Sequence, residues 1–264
     1  MTAAAGKTAP ALLTFAPMVD SELCRFVLGH YAVAFRERPH VFGWASILAL
    51  WHGWTVQIPV LYGDGLRLVG PRDIVDHFDE TCPVERKLVP GRQPLRGQVE
   101  ADWKLFNGEL AAHTAVVAYF HLLPHRDIMM EPFFRGVPPG EARLLRGSYP
   151  ALRALFTLLL RLSAAKAQDA LMRIRMIFEK TDSRLADGRR HLAGDALTLS
   201  DLSLAAAAAP LLLPEGYRSP IPPFDLMPSE MKAIITEMRQ HATAGFIQRI
   251  YAGHFAHPDA LKKG

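Results

Sequence analysis

The first eighty residues alternate between short apolar runs and amphipathic stretches. Residues 12–19 form an apolar run of the kind that a buried strand shows, and apolar side chains then recur at helical spacing. Asp20 or Ser21 is expected to begin that helix as its N-cap. The same reasoning predicts three more strands and a further helix, at 31–37, 56–61, 66–69 and from Pro71 onward. The predicted order is β-α-β-(α)-β-β-α.

The rest of the chain has the apolar spacing of helices. Three prolines and several charges between residues 81 and 97 indicate a linker. The pattern predicts helices at 99–123, 151–162, 167–185, 200–209 and 229–254. Residues 124–147 contain four prolines and three glycines and are predicted to be irregular. We therefore predict one domain over 10–82, a linker over 83–97 and an all-helical domain over 98–257.

A stretch without formal charge, residues 42–61, is long enough to suggest a membrane span. Its tryptophans, His52 and Pro59 are atypical of a spanning helix, so we predict no membrane span. The stretch has two interpretations, an apolar wall for a ligand or a surface for a partner. Its candidate residues are Trp44, Ile47, Leu48, Trp51 and Trp54.

Charge and composition narrow the possible functions. The net charge is +4, but no run of four basic residues occurs, so we expect no nucleic-acid binding and only mild attraction of small anions. Cys24 and Cys82 are the two cysteines of the chain, which fits a reducing compartment. Residues 1–10 lack the features of a secretory signal, so we predict a cytoplasmic protein. The histidines and cysteines show no clustered ligand spacing, so we expect no metal.

Two motifs carry local information. Pro59 interrupts a strand just before the turn Gly63-Asp64-Gly65. A cis Ile58–Pro59 bond would direct the Ile58 backbone toward a ligand, whereas a trans proline at a strand edge is commoner. Thr198 and Asp201 have the spacing of a capping box, which predicts a structural helix start.

Together these marks resemble the glutathione S-transferase superfamily. The Pro59 strand, its hairpin and the following helix are similar to the glutathione-binding half, and the run Gly194 to Asp201 is similar to the buried helix cap of the second half. Residues 244–251 resemble the last helix of bacterial members. The resemblance spans residues 12–255 and implies an α/β thioredoxin-like domain followed by an all-α domain.

The resemblance also implies a site for glutathione. The loop from Phe15 to Arg25 is similar in spacing to that of the beta class, with Asp20 at the cysteine position and Ser21 at the serine position. Ser21 is thus the expected group that activates the thiol, although it is equally suited to capping the helix. Phe15 stands where other classes have a tyrosine. Cys24 is expected to be core packing, with a redox role as a weaker alternative.

Further positions follow from the same resemblance. Ile58 and Pro59 would hold the tripeptide backbone, and His52 or His40 its glycyl carboxylate. The usual γ-glutamyl anchors are replaced by Gly70 and Pro71, which offer no side-chain donor, so Arg72 is the expected substitute. The second-substrate pocket would involve Met18, Trp103, Asn107, Leu110 and Thr114, with plain core as the alternative for the helical stripe.

Two functions are consistent with these residues. The first is a glutathione S-transferase-like enzyme that attacks a hydrophobic electrophile with a bound glutathione thiolate. The alternative is a non-catalytic protein of the same fold that carries an apolar ligand or binds a partner. The resemblance implies a homodimer in either case.

Overall fold

The computed structural model describes residues 9–255, which form an α/β half followed by a helical half. The first half contains a four-stranded sheet with the spatial order β2-β1-β3-β4. β1 runs parallel to β2 and antiparallel to β3, and β3 and β4 form an antiparallel hairpin. The strands are β1 Ala11–Thr14, β2 Arg36–Pro39, β3 Val60–Gly63 and β4 Leu66–Val69.

Three helices cover this sheet, α1 Val19–His30, α2 Trp44–Gly53 and α3 Gly70–Thr81. α1 and α3 pack against each other, while α2 contacts β3 and β4. Asp64 and Gly65 both have positive φ at the centre of the β3–β4 turn, as a two-residue hairpin of matching twist requires. The predicted α/β fold of this half and its hairpin are confirmed.

The second half is helical throughout, as predicted. Its helices are α4 Leu95–Trp103, α5 Ala111–Leu122, α6 Arg126–Phe134, α7 Pro139–Leu145, α8 Tyr149–Leu160, α9 Ala164–Leu185, α10 Leu199–Leu212, α11 Ser229–Met238 and α12 Ala242–Phe255. A π-helical segment, Lys104–Leu110, joins α4 to α5. No helix within residues 9–255 is both long and apolar enough to cross a membrane.

Several predicted boundaries were wrong for local reasons. β1 ends at Thr14 because a turn follows, in which the Met18 N–H donates to the Phe15 carbonyl at 3.0 Å. Met18 is therefore the N-cap of α1, and Asp20 and Ser21 lie inside its first turn. The second strand begins at Arg36, since a turn with positive φ at Ala32 occupies the start of the predicted strand. The third begins at Val60 instead of residue 56.

Two predictions for the helical half were also wrong. The segment 124–147, predicted to be irregular, contains α6 and α7, and α6 includes Pro132. The predicted helix 229–254 is two helices, because α11 ends at Met238 and α12 begins at Ala242.

The segment between the halves is tied to both of them. The Asp79 carboxylate in α3 accepts hydrogen bonds from the Leu88 and Val89 N–H groups, each at 2.9 Å. Leu88 is fully buried, and its carbonyl accepts the Leu199 N–H at the start of α10. The middle of the predicted linker is thus tied to both halves. The domain boundaries stay predictions, and residues 256 and 257 lie outside the described residues.

Every residue of α10 is buried, and its start is fixed by the predicted capping box. The Asp201 carboxylate accepts the Thr198 N–H and the Leu192 N–H, both at 2.8 Å. Two bonds to an ionised acceptor hold the preceding loop against the helix. The predicted structural role of Thr198 and Asp201 is confirmed.

A buried ionic network joins α1 to the helical half. Glu22 has no exposed surface and lies 2.8 Å from the Arg25 guanidinium. The same carboxylate accepts bonds from the Arg218 N–H, the Ser219 hydroxyl and the Tyr251 hydroxyl, at 3.1, 3.1 and 3.3 Å. Arg25 also donates to Ser219 at 2.7 Å and to Glu37 at 2.6 Å. The network therefore joins α1 to β2, to the segment after α10 and to α12.

Replacing Arg25 by Met should lower the free energy of unfolding by about 3–5 kcal/mol, because Glu22 would remain buried without its cation. The measurement is urea denaturation followed by circular dichroism at pH 7.5. Arg173→Met is the control, since Arg173 pairs with Asp169 on the exposed face of α9 and should contribute about 0.5 kcal/mol or less. Equal losses in the two variants would contradict the assignment.

Candidate functional site

An apolar cavity of about 370 Å³ lies between the two halves. Its volume is more than twice the ~150 Å³ of a cavity that holds benzene, and it falls in the range of small-molecule sites. The lining side chains are mainly aromatic and aliphatic, and of the described lining residues only Asp20, Asn107, Tyr119 and Tyr217 have polar side chains.

Aromatic rings form one wall of this cavity. Phe156 of α8 lies 4.8 Å from Tyr119 and 5.0 Å from Phe42, measured between ring centroids. Phe15 packs on the same cluster, 5.6 Å from Phe42. Phe15, which stands where other classes of the family have a tyrosine, therefore contributes packing and no hydroxyl.

Small side chains on α5 leave the space open. Ala111, Ala115 and Ala118 follow one another at helical spacing and line the cavity, together with Gly108 just before them. The larger side chains of α5 that line the cavity, Tyr119 and Leu122, come from its second half, and Tyr119 belongs to the aromatic wall.

A second cleft, of about 400 Å³, adjoins the first beside the sheet. Met18, Asp20 and Phe42 line both. The remaining walls of the cleft come from Ser46, Val56, Gln57, Ile58, Val69 and Gly70. The two spaces thus meet at the first turn of α1, and Asp20 lies at their junction.

Asp20 is the charged group of this junction. Its side chain is half-buried, and within residues 9–255 no Arg, Lys or His lies within ion-pair distance of it. Burial raises its pKa to about 6, although the neighbouring Asn107 side chain opposes the shift. The carboxylate is largely ionised at neutral pH, but at a free-energy cost.

Asn107 reaches the cavity from the π-helical segment. A π turn holds one residue more than an α turn, so it rotates the positions that follow it. The Asn107 Oδ1 atom is buried and has no hydrogen-bond partner among the described residues. The segment therefore leaves an amide oxygen unsatisfied beside Asp20.

Ser21, the predicted thiol activator, lies behind this junction. Its side chain has no exposed surface, and its hydroxyl donates to the Phe15 carbonyl at 2.9 Å. The structure places Ser21 at the wall of neither cavity, because the first turn of α1 directs Asp20 there instead. Cys24 is also fully buried, and burial raises the pKa of its thiol.

The predicted backbone clamp lies at the second cleft. The Ile58–Pro59 bond is cis, and no described residue hydrogen-bonds to the Ile58 N–H or C=O. The Pro59 carbonyl accepts the Gly70 N–H at 2.8 Å. Pro71 is buried in the first turn of α3 and has no N–H. Because the Gly70 N–H is already bonded, Gly70 and Pro71 offer a ligand neither a free N–H nor a side-chain donor.

The predicted charged anchors have other partners. Arg72 donates to both Glu100 oxygens, at 2.8 and 2.9 Å, and to Asp76. It therefore ties α3 to α4 and is not at the cleft. His52 stacks on Tyr62 with 3.8 Å between ring centroids, and its pKa is lowered by burial and by His40. His40 itself contacts the Glu141 carboxylate at 2.6 Å.

Of the five predicted pocket residues, Met18 and Asn107 line the apolar cavity. Trp103, Leu110 and Thr114 do not, and Leu110 and Thr114 are fully buried. The π-helical segment explains the difference, because the extra residue moves the cavity face from positions 110 and 114 to 111 and 115. Tyr119, Phe156 and the segment 220–222 also line the cavity and were not predicted from the sequence. Of the cavity lining, the alanine spacing on α5 is the part that leaves a local signal in the sequence.

The tryptophans of α2 face solvent. Trp51 and Trp54 are 81% and 78% exposed, Trp44 is 45% exposed, and none lines either cavity. Exposed aromatic side chains of this size are common at interaction sites. This face is available to a partner, and the homodimer stays a prediction. No group of three or more potential metal ligands occurs among the described residues.

Solved structures with a similar fold are glutathione S-transferases and related proteins. One from Methylobacillus flagellatus, with glutathione bound, is 18% identical over 96% of this chain and 98% of its own, with a TM-score of 0.55. FzlA from C. crescentus is 17% identical over 97% of both chains, with a TM-score of 0.52. The beta-etherase LigF from Sphingobium sp. is 14% identical over 92% of this chain and 99% of its own, with a TM-score of 0.54.

These similarities show the glutathione S-transferase fold, as the resemblance predicted. No protein-family model matches the sequence, and no curated protein matches it either.

Replacing Asp20 by Asn should stabilise the protein at pH 7.5 by about 1–3 kcal/mol. The folded-state pKa of about 6 lies above the ordinary 3.8, so the folded protein loses stability as pH rises between these values. The gain should therefore largely vanish at pH 4. Urea denaturation at both pH values measures it.

Asp127→Asn is the matched control, because Asp127 is exposed and also occupies the second position of its helix, α6. The change in helix-dipole interaction is then the same in both variants. A pH-independent effect at Asp20 would contradict the burial argument.

Proposed function

We propose that this protein, which has the glutathione S-transferase fold, binds a small apolar molecule in the cavity between its two halves. The observation that carries the proposal is the cavity itself, about 370 Å³ and lined by Phe15, Phe42, Tyr119 and Phe156 together with few polar side chains. Apolar surface leaving water supplies the affinity, at about 25 cal/mol per Å². This is the carrier alternative of the sequence analysis.

The absence of the expected thiol machinery at this junction supports binding over catalysis. Ser21 is buried behind the first turn, and Arg72 is paired with Glu100 and Asp76. A thiolate at the junction would lie near the ionised Asp20, and like charges in a poorly hydrated site oppose each other. The residues present do not fit a stabilised thiolate.

Filling the cavity should abolish binding. Ala115→Phe places a ring into the space, so we expect at least a tenfold loss of affinity for Prodan, a neutral naphthalene whose fluorescence reports an apolar environment. Ala101→Phe, at an exposed position of α4, is the control and should bind as the unmodified protein does. Titration of Prodan fluorescence measures both. Binding that is unaffected by Ala115→Phe would overturn the proposal.

A second candidate function is favoured by the cleft beside the sheet. We propose that glutathione is bound there through the unpaired N–H and C=O of Ile58, with the apolar cavity accepting a hydrophobic electrophile. The structural neighbour from Methylobacillus flagellatus has glutathione bound, and the two spaces of this chain share Met18, Asp20 and Phe42. A ligand that joins glutathione to an alkyl chain would occupy both.

Calorimetry with reduced glutathione and S-hexylglutathione tests this second candidate. We expect saturable millimolar binding of glutathione without loss of bound Prodan, and displacement of Prodan by S-hexylglutathione. Gln57→Trp, which fills the cleft, should weaken the binding of both peptides at least tenfold. Gln98→Trp, at an exposed position of α4, should leave their binding unchanged. No binding at several millimolar would exclude glutathione and leave the apolar-ligand proposal intact.

A further inference from the structure

The polar end of the apolar cavity contains two hydrogen-bond acceptors whose needs the protein does not meet. The first is the Asp20 carboxylate, which has no cationic partner within ion-pair distance in the described part of the chain. An ionised carboxylate that is partly withdrawn from water is stabilised by a cation or by several hydrogen-bond donors. Its pKa of about 6 reflects that missing compensation.

The second acceptor is the Asn107 side-chain oxygen. The amide lies beside the Asp20 carboxyl, and its NH₂ group is the end that can donate to a carboxylate. The Oδ1 atom is buried, and none of residues 9–255 donates to it. A buried acceptor without a donor is destabilising, and its usual explanation in a native structure is a ligand or an ordered water.

Both groups belong to one end of one cavity, and this excludes several ligand classes. A carboxylate, phosphate or thiolate would place a second negative charge beside Asp20. A hydrocarbon would fill the aromatic part but leave both acceptors unsatisfied. An alcohol would supply one neutral donor. An ammonium group supplies up to three donors and the missing positive charge, and charge-assisted bonds are the stronger kind.

We propose that the ligand of this cavity is a small apolar amine, with its ammonium group held by the Asp20 carboxylate and the Asn107 Oδ1 atom and its hydrocarbon body against the aromatic wall. The inference rests on the proposed function, because it names the class of molecule that the apolar cavity takes. The cavity volume accommodates a body larger than a single benzene ring. Asp20 is the residue that determines specificity, and Asn107 supports it.

Three compounds with one skeleton test the assignment: 4-phenylbutylamine, 4-phenylbutan-1-ol and 4-phenylbutyrate. Each displaces Prodan from the full-length protein at pH 7.5 and 150 mM salt to the extent that it binds. We expect the amine to bind at least tenfold more tightly than the alcohol, and the carboxylate more weakly than both. In the Asp20→Asn variant, the affinity for the amine should fall to within threefold of the affinity for the alcohol. The Asp127→Asn variant should keep the full preference for the amine.

Prodan separates the failure of this inference from the failure of the proposed function, because it carries no hydrogen-bond donor. If Prodan binds but the amine shows no advantage, the amine assignment is wrong and the apolar site stands. If the advantage persists in Asp20→Asn, the ammonium lies elsewhere and the assignment also fails. If Prodan does not bind the unmodified protein, the proposed function itself fails.

Asn107→Leu provides a second variant should Asp20→Asn not fold. The leucine removes the amide oxygen at similar volume, so we expect a three- to tenfold loss of amine affinity and a smaller loss for the alcohol. Equal losses for the amine and the alcohol would indicate a packing change only and would contradict the role of Asn107.

Discussion

The arrangement of the two halves depends on the hydrogen bonds and the ion pair that the buried Glu22 carboxylate makes. It is fully buried in α1, yet it receives bonds from Arg25 beside it and from Arg218, Ser219 and Tyr251 of the helical half. A buried charge tolerates little displacement of its donors, since each lost bond leaves an uncompensated group in a medium of low dielectric. The network therefore fixes where α1 lies and which way its first turn points.

The position of that first turn in turn determines the site. α1 begins at Val19, directly after its N-cap Met18 and next to the aromatic cluster of Phe15, Phe42 and Phe156, and its second residue is Asp20. α5 contributes Tyr119 to the same cluster, while Ala111, Ala115 and Ala118 on this helix leave space beside the rings. The cavity is the space left between the aromatic rings and these small side chains. Its polar end arises where the start of α1 meets the π-helical segment.

Much of the fold could be predicted from local patterns. The Asp64-Gly65 hairpin and the Thr198–Asp201 cap depend on residues a few positions apart, so their chemistry is legible in the sequence. The start of β2 was harder, because residues 31–35 have apolar side chains that pack without joining the sheet. The helices α6 and α7 were hidden by prolines, which are tolerated at first-turn positions and, in α6, inside the helix.

The site could be predicted only in part, because its geometry depends on turn details. Ser21 and Asp20 are neighbours, and a shift of the helix start from Ser21 to Val19 decides which of them faces the cavity. The π-helical segment has a similar effect on α5. Its additional residue rotates the helix, so that Ala111 and Ala115 line the cavity instead of Leu110 and Thr114. The ion pair between Arg72 and Glu100 could not be predicted from local sequence, because the two residues are 28 positions apart.

The burial of α10 has a consequence for how this chain is made. α10 packs against α1, α4, α5, α11 and α12, and its fourteen residues are all buried. When α1 leaves the ribosome, the surface that will cover it has not been synthesised. At about 5–20 residues per second, roughly 10–30 seconds pass before α10 follows. During that interval the apolar faces of the N-terminal half are exposed, and the nascent chain is a natural client for chaperones that bind such surfaces.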